Sequence, residues 1–154
     1  MNQLVTVYVD TSVFGGAYDE EFSVASRAFF DEVRSGRFSV CVSAIVLEEL
    51  RGAPQEVRAL YAELAPRIVL VDVSPQALLL MRAYLSARIV SEKWRADALH
   101  VAIATANGCQ AIVSWNFKHI VHFDKISLYN GVNMAHGFGP LAIHSPQEMV
   151  HYED

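Results

Sequence analysis

The 154-residue sequence has few of the features that mark membrane, secreted or disordered proteins. No apolar run approaches the roughly 18–20 residues of a membrane-spanning helix. The segment MNQLVTVYVD has no basic stretch followed by a long apolar one, so we expect no secretory signal. Charged residues make up only 19% of the chain and hydrophobic residues 53%, which excludes general disorder. We therefore expect a cytoplasmic globular protein with no membrane partner.

Cysteine is also scarce. Cys41 and Cys109 are the only two, and they lie in apolar segments far apart in the sequence. Two cysteines do not make the disulfide framework of a small secreted protein. We interpret them as reduced thiols of the core, with a disulfide or a shared metal ion as the alternatives.

The sequence lacks the motifs of several common enzyme classes. No GxGxxG follows the first predicted strand and no GxxxxGK[ST] occurs, which disfavours dinucleotide-binding and P-loop enzymes. There is no GxSxG nucleophile motif. Twelve basic against seventeen acidic residues give a net charge of −5, which disfavours a general phosphate-binding surface. An acidic protein can still act on nucleic acid when metal ions bridge its carboxylates to phosphates.

Strand-like and helix-like segments alternate along the chain. Five β-rich runs are expected to form strands: 4–9, 38–42, 68–73, 111–114 and 141–143. Five segments with helical spacing are expected to form helices: 23–35, 43–50, 55–64, 75–89 and 94–107. This alternation predicts an α/β fold with a parallel sheet and helices on both faces. We expect one domain over residues 1–154, with an ordered surface loop over 116–140.

Acidic residues stand where parallel-sheet proteins build their sites, outside the carboxyl ends of strands. Asp10 directly follows the first strand, Glu48 and Glu49 lie in the helix after the second, and Asp97 opens a largely apolar helix. Each has a simpler interpretation. Asp10 could cap the next helix, the two glutamates could be solvated, and Asp97 could favour the helix dipole. If Asp97 faces the core it needs a partner, and His100 one turn later is a candidate.

The fourth strand ends in another polar group, Ser114-Trp115-Asn116. If the acids converge there, repulsion has to be relieved, because two carboxylates about 4 Å apart repel by about 4 kcal/mol at an effective dielectric of about 20. A raised pKa or a divalent cation relieves it. Oxygen ligands without His or Cys spacing favour Mg²⁺ or Mn²⁺ over Zn²⁺, and the matching chemistry is metal-assisted phosphodiester hydrolysis.

These motifs, in this order, resemble the PIN-domain nucleases and, within them, the VapC-like toxins of type II toxin–antitoxin systems. The resemblance covers nearly the whole chain. It begins with Asp10-Thr11-Ser12 and continues with Glu49-Leu50, the helix DALHVAIATA and the strand AIVS before Trp115-Asn116-Phe117. It implies a three-layer α/β/α sandwich with a central, mainly parallel sheet of four to five strands.

The resemblance also implies an endoribonuclease that leaves 5′-phosphate and 3′-hydroxyl ends. Asp10, Glu49 and Asp97 would be its catalytic residues and its ligands for Mg²⁺ or Mn²⁺, with Ser12 and Ser114 in support. Many members carry a fourth Asp where this chain has Asn116, which makes Asn116 an outer or weak ligand and weakens a second metal site. Glu49 is preferred to Glu48 because it precedes a leucine.

Several basic and aromatic residues near these acids are candidates for RNA contact, although each is otherwise an ordinary solvated charge. The basic set comprises Arg51, Lys93, Arg95, Lys118 and His119. Trp94 and Trp115 could stack on bases or pack in the core or at its rim. His119 and His122 have the spacing of a chelating pair, but we expect them to be surface-loop histidines.

Apolar residues on two helices exceed the single stripe that a core-facing helix needs. Phe29, Phe30, Leu60 and Tyr61 predict either a partner surface or a well-buried pair of helices. The partner would be a second copy, giving a homodimer, or an antitoxin. Two other functions stay open: a non-catalytic PIN-like module that binds RNA or protein, and a metal phosphohydrolase acting on small phosphoesters.

Overall fold

A computed structural model describes residues 4–151 of the chain. Its five strands are β1 (Val5–Val9), β2 (Phe38–Val42), β3 (Ile68–Leu70), β4 (Ala111–Val113) and β5 (Ala142–His144). They form one sheet in the order β3-β2-β1-β4-β5, and every neighbouring pair is parallel. The predicted α/β class and parallel sheet are confirmed.

Eight α-helices connect and cover these strands within the described residues. They are α1 (Thr11–Gly16), α2 (Ser23–Arg34), α3 (Ala44–Leu50), α4 (Gln55–Leu64), α5 (Pro75–Ser86), α6 (Arg95–Ala106), α7 (Phe123–Ala135) and α8 (Pro146–Met149). Helices α5, α6 and α7 pack together, and α2 packs on α1 and α8, as in an α/β/α sandwich. Over residues 4–151, no helix combines the length and apolar character that crossing a bilayer requires.

The strand order creates a switch point beside β1. The chain adds β2 and β3 on one side of β1 and then returns to place β4 and β5 on the other. In such sheets the two connections leave β1 and β4 in opposite directions, which opens a crevice at the carboxyl ends of the two strands. Asp10 and Ser114 stand at these two strand ends.

The core confirms some sequence-based predictions and corrects one. Helix α6 is buried on most sides, as its apolar pattern predicts. The hypothesis that Phe29 and Phe30 form a partner surface is wrong. Both are fully buried, and their rings lie against Phe38 and Phe14, with ring centroids 5.2 and 5.1 Å apart. The apolar surplus of α2 therefore packs inside the molecule.

The two cysteines are buried free thiols, as predicted from their scarcity and surroundings. The fold brings them together, with 3.2 Å between the Sγ atoms of Cys41 and Cys109. They become neighbours because Cys41 lies on β2 and Cys109 just before β4, and both strands flank β1.

The prediction of a loop over 116–140 is wrong, because α7 occupies most of that segment. Tyr129 and Asn133 are the fully buried residues of α7, and Ile126 and Val132 pack partly buried beside them, so the apolar stripe of the helix is narrow. Its Asn130-Gly131 pair is typical of a turn, yet Asn130 donates to the carbonyl of Leu141 and ties the helix to the chain after it. Contacts of α7 with α5 and with the segment just before β5 outweigh the turn preference of Asn130-Gly131.

Candidate active site

Asp10 is the most buried carboxyl group of the site. Both of its oxygens accept hydrogen bonds, from Ser12 Oγ at 2.6 Å and from Ser114 Oγ at 2.7 Å. It stands at the N-cap position of α1, but its side chain makes no capping bond, so the capping interpretation does not hold. The two hydroxyl groups instead fix its carboxylate in the crevice between β1 and β4.

Burial raises the pKa of Asp10 above its ordinary value. The charge on His100 and the hydrogen bonds from Ser12 and Ser114 act in the opposite direction, but they do not fully offset the loss of hydration. The nearby Glu49 carboxylate raises the pKa further. A buried carboxylate in this state gains from any cation placed beside it.

Glu49 points into the site and Glu48 points away from it. Oε1 of Glu49 accepts a hydrogen bond from Thr11 Oγ1 at 3.1 Å and lies 2.6 Å from His100 Nε2. Glu48 forms an exposed salt bridge with Arg51 one turn along the same helix. Burial opposes ionisation of Glu49, but the bonds and charge of His100 outweigh it and the pKa of Glu49 is lowered.

His100 lies at the centre of the acidic residues, although sequence reasoning included it only as a neighbour of Asp97. Its Nδ1 is 2.7 Å from Tyr8 Oη, which is 2.8 Å from Ser43 Oγ. Burial disfavours the charged ring. The Glu49 hydrogen bond and the charges of Asp10, Glu49 and Asp97 nevertheless raise the pKa of His100. When the ring is protonated, it donates to both Glu49 and Tyr8, and the Tyr8 hydroxyl is then free to donate to Ser43.

Asp97 stands in the first turn of α6, half-buried, one turn before His100. Its negative charge favours the protonated forms of both His100 and His119, so Asp97 lies near both rings, although burial lowers the pKa of His119 overall. Over residues 4–151, its carboxylate has neither a hydrogen bond nor a salt bridge. The partner that the sequence suggested for it, His100, is bonded to Glu49 instead.

The end of β4 forms a tight hydrogen-bonded turn. Ser114 Oγ, besides donating to Asp10, accepts from the backbone N–H of Asn116 at 2.9 Å. The Asn116 side-chain oxygen accepts from the backbone N–H of His119 at 2.9 Å. The predicted outer ligand therefore uses its oxygen to hold this turn.

The candidate RNA contacts divide into two groups. Arg51 and Arg95 form exposed salt bridges with Glu48 and Glu92, at 3.2 and 3.1 Å. The remaining three, Lys93, Lys118 and His119, all contact Trp94.

The surface-loop prediction is wrong for His119, which is buried and stacks on Trp94. His122 does lie in the loop before α7, where its Nδ1 caps the helix by accepting from the N–H of Asp124. Trp115 is buried as well, and its Nε1 donates to Ser26. Trp115 therefore belongs to the core and does not offer a stacking surface.

Three residues of the site carry little sequence signal. His100 follows Asp97 by three positions, a spacing that places the two on one face of α6. Nothing in the sequence indicates that Tyr8, inside a buried strand, bonds to His100, or that Thr11 bonds to Glu49. These contacts become visible only once β1 is placed among its neighbouring elements.

The candidate ligand atoms are chemically suited to a hard divalent cation, because they are carboxyl oxygens. One of the carboxyl groups, that of Asp10, is buried and has a raised pKa. Nevertheless, no three His, Cys, Asp or Glu side chains among residues 4–151 are gathered closely enough to hold an ion as they stand. Asp10, Glu49 and Asp97 lie around His100, and their charges favour its protonated form.

Comparison with known proteins identifies the family. The sequence profile of the PIN domain matches residues 6–118, so the chain belongs to the PIN-domain family, whose members are generally nucleases that use divalent metal ions. A search of curated protein sequences finds no match. The resemblance to PIN-domain proteins, as predicted from the motifs, is confirmed.

Solved structures share the fold. VapBC2 from Rickettsia felis, bound to a promoter DNA fragment, gives a TM-score of 0.58 at 14% identity, covering 92% of this chain and 98% of that one. VapC20 from Mycobacterium tuberculosis, a Sarcin-Ricin loop cleaving toxin, gives 0.56 at 17%, covering 86% and 95%. FitAcB from Neisseria gonorrhoeae gives 0.55 at 17%, covering 93% and 99%. The α/β/α sandwich is therefore that of VapC-type structures.

Proposed function

We propose that this chain is a metal-dependent endoribonuclease of the VapC-like type, acting as a single PIN domain. One observation carries the proposal. At the switch point of the parallel sheet, Ser12 and Ser114 fix the buried Asp10 carboxylate through hydrogen bonds. Glu49 is bonded to His100, which lies one turn after Asp97 on α6. Carboxylate oxygens are the ligands that Mg²⁺ and Mn²⁺ prefer, and these three groups would draw closer together than they lie here to hold an ion.

Asp10, Glu49 and Asp97 would hold the ion. When bound, a divalent ion activates the attacking water and offsets charge on the phosphate and the leaving oxygen. Ser12 and Ser114 orient the Asp10 carboxylate through their two hydrogen bonds. The neutral Asn116 adds no charge on that side, which favours a single strong metal site.

His100 would keep Glu49 in place. The ring is held between Tyr8 and Glu49, so the carboxylate is oriented before any ion arrives. The raised pKa of His100 also keeps a positive charge among the acids of the metal-free protein. That charge lowers the repulsion that three converging carboxylates would otherwise create.

The proposed partners are an RNA substrate and a protein of the antitoxin type. The solved structures support this, since one is described as a Sarcin-Ricin loop cleaving toxin and others are VapBC and FitAB antitoxin complexes. A homodimer is proposed as well. Growth arrest on expression, relieved by co-expressing a neighbouring gene, would support the toxin role.

A thermal melt with millimolar Mn²⁺ tests the metal site. An ion at a hundred times its Kd stabilises the fold by about 2.7 kcal/mol, which is readily seen as a rise in Tm. Glu49→Gln and Asp97→Asn should lose this rise. Glu48→Gln is the matched control. Glu48 adjoins Glu49 in the sequence but faces solvent, so this variant should respond to Mn²⁺ as wild type does.

Cleavage of a structured RNA tests the activity. Wild type with Mn²⁺ should produce 5′-phosphate ends, and Asp97→Asn should produce none while keeping its fold. Wild-type turnover in Asp97→Asn would overturn the assignment of that residue. RNA binding with neither a Mn²⁺-dependent rise in Tm nor cleavage would indicate a non-catalytic module instead, as the bonded Asn116 oxygen also allows.

A further inference from the structure

Trp94 lies beside the acidic site and is surrounded by basic side chains. The ammonium nitrogens of Lys93 and Lys118 lie 5.1 and 5.6 Å from the centroid of its ring. The ring of His119 stacks on it, with centroids 4.6 Å apart and an angle of 28° between the planes. About a third of Trp94 is exposed, at 36%, so part of its ring is available to a ligand.

The two lysines differ from the other basic residues near the site. Arg51 and Arg95 are each neutralised by a glutamate one turn away. Over the described part of the chain, neither Lys93 nor Lys118 has a carboxylate within salt-bridge distance. In a protein of net charge −5, two unpaired ammonium groups on one aromatic ring form a local positive patch.

This patch adjoins the proposed metal site on the Asp97 side. Trp94 ends a short 3-10 helix, Glu92–Trp94, and comes three residues before Asp97. Lys118 lies in the turn that begins at Asn116. Trp94 contacts both Lys118 and His119 of that turn, so the two segments meet at the indole.

His119 supports the indole from the inside. It is only 8% exposed, and neither of its ring nitrogens has a hydrogen-bond partner within residues 4–151. Burial, together with the two nearby lysines 118 and 125, lowers the pKa of His119 and favours its neutral form. A neutral ring against one side of Trp94 fixes the indole without adding a charge that would repel the lysines.

We propose that Lys93, Trp94 and Lys118 form a subsite for one unpaired nucleotide of single-stranded RNA next to the cleaved phosphodiester. The inference rests on the proposed ribonuclease function and specifies its substrate. A nucleobase would stack on the exposed part of the indole and replace the ammonium groups there. The two lysines would then turn to the phosphates on either side of that nucleotide. A base inside a duplex is already stacked on both faces, so the subsite selects single strands.

Equilibrium binding of a fluorescent single-stranded RNA tests the subsite. Measurements in EDTA, from about 50 to 200 mM salt, prevent metal-dependent cleavage and separate binding from activity. Each phosphate contact on a single strand contributes about 0.7 to the slope of log K against log salt. Lys93→Gln with Lys118→Gln should therefore reduce the slope by about 1.4. Trp94→Ala should weaken binding about tenfold, whereas Trp94→Phe should retain most of it.

Arg67→Gln is the control for losing a positive charge far from the proposed subsite. Arg67 is exposed and lies just before β3, at the opposite edge of the sheet from the site, so its removal should leave the salt slope unchanged. A duplex of the same sequence should be bound equally by wild type and Trp94→Ala. The melting temperature of each variant verifies that it is folded.

The outcomes separate this inference from the proposed function. RNA binding through the subsite without Mn²⁺-dependent cleavage would support the inference and overturn the nuclease. Cleavage by wild type, together with lysine and Trp94 variants that bind as Arg67→Gln does, would overturn the inference and leave the nuclease. Wild type that binds no single-stranded RNA at the lowest salt would also overturn the inference.

Discussion

The Nε2 atom of His100 lies 2.6 Å from Oε1 of Glu49, which pairs a buried imidazole with a carboxylate of the proposed metal site. The ring cannot turn away from this contact, because its Nδ1 is bonded to the buried Tyr8. Glu49 is 42% exposed, so its carboxylate is held by the interior while remaining accessible to an ion. The site is thus oriented by the core beneath it.

The ion pair predicts how stability depends on pH in the metal-free protein. The pKa of His100 is raised, so its contribution is complete below its unfolded value of about 6.5 and is lost as pH rises through the folded pKa. The pKa of Glu49 is lowered, so its contribution is present above about 4.5 and is lost as pH falls through the folded pKa. The pair should contribute most near pH 5–6.

Removing the imidazole measures this contribution. We expect His100→Gln to lose about 2 kcal/mol near pH 5–6 by chemical denaturation in EDTA, less than a fully buried pair because Glu49 is partly exposed. The loss should shrink above pH 7. A loss that is the same at pH 5.5 and pH 8.5 would contradict protonation of His100.

Asp10 predicts a conflict between stability and metal binding. Its pKa is raised by burial, so ionisation above its unfolded value of about 3.8 destabilises the metal-free fold as pH rises through the folded pKa. Asp10→Asn removes that charge. The variant should be about 1 kcal/mol more stable than wild type at pH 7 in EDTA, with the gain disappearing below about pH 4.

Denaturation curves in EDTA and in Mn²⁺ check both halves of that prediction. In Mn²⁺ the order should reverse, since only wild type gains from the ion. Ser114→Ala, which keeps the Asp10 charge but removes a buried hydrogen bond, should instead cost about 1.5 kcal/mol at pH 7. A destabilised Asp10→Asn would show that its hydrogen bonds outweigh its desolvation.

Two adjacent glycines of α1 should respond in opposite ways to alanine. A Cβ on Gly16 would lie 2.6 Å from Trp115 Nε1 and 2.7 Å from Ser26 Oγ, so Gly16→Ala breaks the bond between these two side chains. We expect a loss of roughly 2–3 kcal/mol by thermal or urea denaturation.

Gly15 is the control on the same helix. A Cβ there meets no atom within 4 Å, and alanine favours the helix, so Gly15→Ala should stabilise the protein by about 0.5–1 kcal/mol. If both variants lost stability equally, the close approach of Trp115 to Gly16 would not be the cause.

The buried thiols should be unreactive in the native protein. Cys41 and Cys109 are 2% and 6% exposed, so a thiol reagent should label them only as fast as the protein unfolds. In denaturant, two equivalents should react at once. No labelling in denaturant would contradict the free thiols, because it would show that the sulfur atoms, 3.2 Å apart in the structure, had joined as a disulfide.

Much of the architecture could be predicted from the sequence. The alternation of β-rich and helical runs identified all five strands and the helices α2 to α6, because strand and helix periods differ clearly in apolar segments. Helices α1 and α7 and the single-turn helix α8 were missed. Helix α1 ends in two glycines and α7 contains Asn-Gly, and packing overrides these local preferences.

The candidate site, like the fold, could be predicted from the sequence only in part. Asp10, Glu49 and Asp97 could be chosen from the sequence, because each stands at the boundary of an element and the motifs resemble a known family. Local patterns therefore predict which carboxyl groups are available for a metal site and near which ends of the strands they lie. That they lie around His100, that Tyr8 holds this ring, and that two lysines meet on Trp94 follows from three-dimensional packing alone. These contacts join residues up to 92 positions apart, and their geometry follows from strand pairing and helix packing, which no local pattern encodes.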